Sequence, residues 1–275
     1  MFKKNRESKY ERIGYDENIG YEGGSLNNPD IHFINSRNPS TSKNINYAAA
    51  SKSRKPYFVT IYVFFVGRAF RAVDFARVKR DFVRANEIWN RCMVFIKIAN
   101  GNGVPIINKM TYPDYLVDDL CAENLGHQDR RGPADPIRDA LINDFTPNHS
   151  IALYYIPGTT FYRSDTTCAV TGSEASGSSF KSSIFMASDS DYPYILAHEI
   201  GHALFFRPSN CSRTNPGPTY VIPGTRRVDP SHDNRSDNLM YPSVPNTNPI
   251  ITNDQCNKAR KSPYIYRNAQ ALPNL

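Results

Sequence analysis

The sequence has no run of about 18 apolar residues, the length that a membrane-spanning helix needs. Its longest apolar stretch, Phe58 to Val66, is strand-sized and rich in β-branched residues. Residues Met1 to Ile13 are basic but have no apolar segment behind them, so a cleavable secretory signal is not expected. Export would then follow a route without a classical signal peptide, with a cytoplasmic location as the alternative. The chain also lacks CxxC spacing among its 5 cysteines (Cys92, Cys121, Cys168, Cys211, Cys256), which argues against a cysteine zinc site. The odd count leaves at least one of them without an intrachain partner, and one or two disulfides of undefined pairing remain open. Charge is likewise modest: a net +7, of which the first 55 residues supply +4, is a mildly basic tail and not a nucleic-acid footprint. There is no internal repeat.

What is present suits one sizeable core. Of the 275 residues 40% are hydrophobic, with 17 Tyr and 15 Phe, enough for a single domain plus a tail. Residues 1–55, rich in Asn, Ser, Gly and Lys, read as a flexible leader, and 56–275 as the folded domain. Tyr57–Val66 predicts a buried strand. Asp74 is placed to cap a helix in which Phe75, Val78, Phe82, Ala85, Ile88 and Trp89 recur at helical spacing. Cys92–Ile98 and Ser150–Ile156 predict further strands, separated by a polar stretch, Thr111–Pro147, with short helical pieces at best. Cys168–Ser179 is a small-residue segment, and Ser183–Ala187 a short strand after it.

Asp191 would then start a helix over Tyr192–Phe206. The prolines of Pro208–Ser231 make that stretch an irregular loop. Thr252-Asn253-Asp254-Gln255 has the capping-box pattern that opens a last helix. Strands alternating first with one long helix, then closing helices, imply an α+β, mixed α/β sheet domain.

The helix around residue 200 carries His198-Glu199-Ile200-Gly201-His202, the HExxH spacing. Positions i and i+4 share a helix face, so both imidazoles can reach one ion. Glu199 sits beside them, placed to take a proton from a water that the metal polarises. Zinc suits such a site because it accepts three protein ligands and keeps a fourth position open.

Two motifs resemble the metzincin metalloproteases, and the matrixins among them. Metzincins extend the motif to HExxHxxGxxH. Here Phe205 stands at the glycine and Pro208 at the third histidine, so the extension is missing. The segment from His232 to Asn238-Leu239-Met240-Tyr241-Pro242 is nevertheless similar to the matrixin stretch in which a ligand histidine precedes the Met-turn, and His232 lies 8 residues before Met240. An insertion over residues 207–231 reconciles the two. Its entropic cost is small, since loop closure grows only with the logarithm of length. Ala85-Asn86-Glu87-Ile88-Trp89-Asn90 resembles the family's first-helix signature, and Thr252–Tyr264 its C-terminal helix.

The resemblance implies a metzincin-like zincin, with a twisted, mostly parallel sheet, an active-site helix and a C-terminal helix. It implies one catalytic Zn2+ held by His198, His202 and His232, with Glu199 as general base in the hydrolysis of a protein or peptide substrate. Met240 would be a structural floor beneath the site. Tyr241, Pro242, Ser243, Val244 and Pro245 would line the pocket for a substrate side chain. Tyr241 follows the methionine directly, so no ligand role is implied for it. Ser183–Ala187 is the candidate edge strand for substrate addition. Asp229, Asp233 and Asp237 are rival third ligands. His127 with Asp129, and His149, would form a second metal site of the kind matrixins have, although solvated loop residues are the default reading.

The family's prodomain cysteine has no counterpart before Cys92. The leader could instead block the cleft or serve export or packaging machinery, as in an effector or toxin-like protease. Two other readings stand beside the peptidase. One is a catalytically silent binding module, suggested by Phe205 and by a cleft-covering insertion. The other is a two-histidine zinc site completed by a glutamate, for which no acidic residue after Pro242 except Asp254 is available.

Overall fold

The apolar run at Tyr57–Val66 forms strand β1, which sits inside the sheet of a computed structural model that describes residues 55–69, 72–99, 106–107, 120–126, 131–164 and 166–267. All of these belong to one unit, Ala48–Leu275. The expected leader lies outside the described residues except for Lys55, as do His127 and Asp129. The remaining strands are β2 (Val94–Ile98), β3 (Ile106–Ile107), β4 (Ile151–Ile156), β5 (Ala169–Ser176) and β6 (Ser179–Ala187). They pair in the order β2-β1-β4-β6-β5, with β3 added along β1. Every pairing is parallel except β5 with β6. The fold is therefore mixed α/β with a mostly parallel sheet, the architecture expected from the sequence.

Strand β1 is buried on both faces, so its side chains alternate between two cores. Val59, Ile61, Val63 and Phe65 enter the larger core, while Phe64 and Val66 enter the smaller one. β4 divides likewise, with Ile151, Leu153 and Tyr155 on one face and Ala152, Tyr154 and Ile156 on the other. Over the larger core lie helices α1 (Ala72–Trp89) and α3 (Ile195–Phe205), and α4 (Asn253–Ala259) packs against α3. Residues of α2 (Asp135–Phe145) cover the smaller core.

Several boundaries differ from expectation. α1 begins at Ala72, so Asp74 lies inside the helix and not at its cap. β2 starts at Val94, because Asn90–Cys92 forms a 3-10 turn and Met93 takes a left-handed φ of 59°. The polar stretch before Pro147 holds an 11-residue helix, α2, whose Pro136 occupies the first turn, where a missing N–H costs nothing. α3 begins at Ile195, and Asp191 reaches instead toward Arg84 at 3.5 Å.

The strand expected at the edge is not there. Ser183–Ala187 belongs to β6, which is paired on both sides by β4 and β5. The outer strand is β5, folded back through the turn at Gly177, whose φ of 60° suits a residue without Cβ. The proline-rich stretch also contains strand: β7 (Thr219–Val221) and β8 (Val228–Asp233) form an antiparallel pair. One disulfide, Cys92–Cys256, joins the end of α1 to α4, leaving Cys121, Cys168 and Cys211 free. No helix among the described residues is long and apolar enough to cross a membrane.

Candidate metal centre

α3 is an interior helix, buried at every position from Leu196 to Phe205. One face packs on α1, where Trp89 donates its indole N–H to the Ala197 carbonyl at 3.0 Å and meets Phe205 edge-on at 6.3 Å. His198 and His202, one turn apart, bring their Nε2 atoms to 3.0 Å from each other. β8 delivers His232 to the same place, with ring centroids 5.3 Å from His198 and 4.8 Å from His202. The three histidines offer ligand nitrogens that all lie within 4.8 Å of one another, a group that could hold a metal ion. Among the described residues this is the one such group.

The donor set fits zinc. Burial pushes the His198 imidazole down to about 3, with the charge of His232 acting the same way. Burial also holds His202 well below the ordinary histidine range. Both are therefore neutral near pH 7, the form that binds a metal. Outer partners set the tautomers. His198 Nδ1 donates to the Leu239 carbonyl at 2.7 Å, and His232 Nδ1 to Asp229 Oδ2 at 2.7 Å, which leaves each Nε2 lone pair for an ion. Asp229 is itself held ionised, its carboxyl lowered chiefly by the His232 hydrogen bond.

The rival carboxylates are thus accounted for. Asp229 orients His232, and Asp233 is buried in a fork with Arg235, at 2.8 and 2.7 Å. Asp237 is exposed and outside the cluster. His149, also exposed, bonds the Ser178 carbonyl at 2.9 Å and joins no metal group among the described residues.

Glu199, on the same helix, meets β5. Its Oε2 accepts the Thr171 hydroxyl at 2.5 Å. Burial raises its carboxyl to about 7, against the lowering effects of the Thr171 hydrogen bond and of the charges of His232 and Arg213. A carboxylate poised there can accept and return a proton near neutral pH.

Beneath the cluster, Met240 is fully buried and its backbone is pinned on both sides: Asp233 N–H donates to the Met240 carbonyl at 2.8 Å, and Met240 N–H to Asn238 Oδ1 at 2.9 Å. Tyr241 meets Tyr220 edge-on at 5.5 Å, and Val244 packs against the larger core, while Pro242 and Ser243 are exposed.

The stretch expected to be an insertion, residues 207–231, is fastened at several points. Its first residue, Arg207, donates to the Leu204 and Phe206 carbonyls at 3.0 and 2.7 Å, and to the Lys258 carbonyl of α4 at 2.6 Å. Those bonds satisfy carbonyls at the end of α3, which Phe206 leaves in extended geometry, so the helix stops without the glycine usual at that point. Farther along, Arg213 donates to the Thr171 carbonyl. Asn215 is buried and donates to Asp233 at 3.2 Å. Thr171, Arg207, Arg213 and Asn215 were not legible as site residues from sequence, because each acts through a distant partner or through a backbone atom.

No family model and no curated protein matches this chain. Among solved structures it is similar to metalloproteinase-II from Bacteroides fragilis, at 11% identity and a TM-score of 0.44, over 76% of this chain and 54% of that one. The chain thus spans about half of that protein's length.

Proposed function

We propose that the chain is a zinc-dependent endopeptidase, with His198, His202 and His232 as ligands and Glu199 as general base. The observation that carries this reading is the convergence of three imidazoles from two separate elements, with Glu199 one residue from the first of them. Zinc, when bound, would supply a Lewis acid that polarises the scissile carbonyl and acidifies water.

The chain's own residues do the rest. Leu239 and Asp229 hold the His198 and His232 rings in one orientation, so the ligand set is formed before substrate arrives. Burial shields the base from bulk solvent and brings its affinity for a proton close to neutrality, while the Thr171 hydroxyl fixes the carboxylate's position. Glu199 would take the proton of the attacking water and pass it to the leaving amine. β5, whose outer side has no strand partner among the described residues, is where an extended peptide would add.

The test is direct. The purified protein should carry close to one zinc per chain and cleave peptides in a library, and a chelator should stop the cleavage. Glu199→Gln should keep the metal and lose at least about a hundredfold in rate. Protein that holds no zinc, with Glu199→Gln leaving cleavage untouched, would sink the reading. A second reading, a silent binding module, draws on Arg213, which reaches from the insertion onto the β5 backbone beside Glu199. Chelator-sensitive cleavage excludes it.

A further inference from the structure

A cavity of about 380 Å3 lies on the α2 side of the sheet and reaches edge strand β5 at Thr171, whose hydroxyl bonds Glu199, with Arg213 also on its wall. Several charges on its wall are neutralised by neighbours, and Arg131 is exposed at its edge. Lys181 Nζ lies 3.1 Å from Glu174, and Arg138 lies 3.1 Å from Asp135 and 3.3 Å from Asp139.

Arg213 differs from these. One guanidinium nitrogen is fixed on the Thr171 carbonyl, and the side chain has no ion pair among the described residues. The carboxylates that attract it, Glu199 and Asp229, are engaged by Thr171 and by His232 with Ser231. Its remaining donors have no partner among the described residues and are not sealed off from open space, and the residue lines the cavity. The segment that carries it is fastened by Arg207 on one side and Asn215 on the other, and the bond to the Thr171 carbonyl orients the guanidinium.

We propose that this cavity is a subsite for a carboxylate of the peptide substrate, bound by Arg213. The proposal rests on the peptidase reading and names the substrate chemistry of that same site. A guanidinium held by one nitrogen keeps further donors in the planar arrangement that matches two carboxylate oxygens. Ile142, Val170 and Phe185 supply an apolar floor for the methylenes of an acidic side chain. The carboxylate comes from an Asp or Glu close to the scissile bond, or from the end of the peptide chain, in which case the enzyme trims carboxyl termini.

The experiment uses the zinc-loaded Glu199→Gln protein and labelled peptides of one length, read by fluorescence anisotropy. One set carries an internal Glu and an amidated end, a second neutral residues and a free carboxylate, and a third neither. Either of the first two should bind about tenfold more tightly than the third, and which one does so identifies the source. Arg213→Gln should abolish the difference and Arg213→Lys restore part of it. Equal binding of all three sets overturns the proposal, and this comparison does not depend on the Arg213 variants folding. A preference that survives Arg213→Gln also overturns it, since a general basic surface would then be responsible. Metal content measured on the same samples reports on the peptidase reading separately.

Discussion

The sulfur of Met240 lies against the backbone of Gly201. A Cβ at residue 201 would stand 2.4 Å from Met240 Sδ, 3.2 Å from its Cε and 3.4 Å from Trp89 Cζ2. The glycine inside the histidine motif is therefore what lets Met240 close up against α3. Gly201→Ala has to push aside a fully buried methionine, at a cost of about 1–3 kcal/mol. Because Leu239, next to Met240, orients His198, the displacement should also weaken zinc binding. Met240→Leu on its own, close in volume, should cost less than about 1.5 kcal/mol. Denaturant unfolding and chelator competition on the two single variants check both statements, and wild-type zinc affinity in Gly201→Ala would refute the coupling.

The contact between His232 and Asp229 can be tested in the same way. Asp229→Asn keeps the shape of the 2.7 Å contact but removes the charge that fixes the imidazole. Zinc affinity should fall by roughly 10–100-fold, with the fold intact by circular dichroism. His232→Ala removes a proposed ligand outright and should lose more. Retention of zinc by His232→Ala would instead favour a two-histidine site completed by a carboxylate.

The disulfide between Cys92 and Cys256 spans a sequence separation of 164 and fastens α4 to the end of α1. Both residues are buried, at 0% and 5% exposure, so reduction in the native state should be slow without denaturant. The double variant Cys92→Ser with Cys256→Ser should lose about 3–5 kcal/mol of stability, the range for closing a long loop. Thermal melting with and without reductant checks it, and an unchanged midpoint in the double variant would count against the bond as a stabilising element.

Legibility from sequence followed the range of the interactions. α3 and its histidine pair could be read because a spacing of four is local, and α4 because Thr252 and Gln255 make both bonds of their capping box within four residues. β1 declared itself by length and by an apolar character that burial on both faces demands. Sheet order was not readable: whether β5 or β6 forms the edge depends on which strand pairs with β4, and no local pattern encodes that. His232 could be placed only by counting back from Met240, since the hairpin that carries it is full of prolines. Arg213 gave no signal, because its significance lies in reaching the backbone of a strand 42 positions earlier.

Buried amides tie the strand of His232 to the turn that carries Met240. Gln255 Nε2 donates to Asn215 Oδ1 and to Asn238 Oδ1, both at 2.8 Å, and its Oε1 accepts from Asn238 Nδ2 at 3.2 Å and from Thr252 N–H at 2.9 Å. Asn215 then reaches Asp233, the neighbour of His232, and Asn238 holds the Met240 N–H. One side chain of α4 thereby links Asn215, the strand of His232 and the turn that holds Met240. Gln255→Leu keeps most of the volume but strips partners from groups that cannot reach water, at about 1–3 kcal/mol for each one left unsatisfied. Asn215→Ala removes the bonds to Gln255 and to Asp233 and leaves those between Gln255 and Asn238 in place. If the network positions His232, Asn215→Ala should lower zinc affinity more than its loss of stability would suggest, whereas a purely structural role would lower the melting temperature and leave affinity alone. Chelator competition well below the melting temperature separates the two.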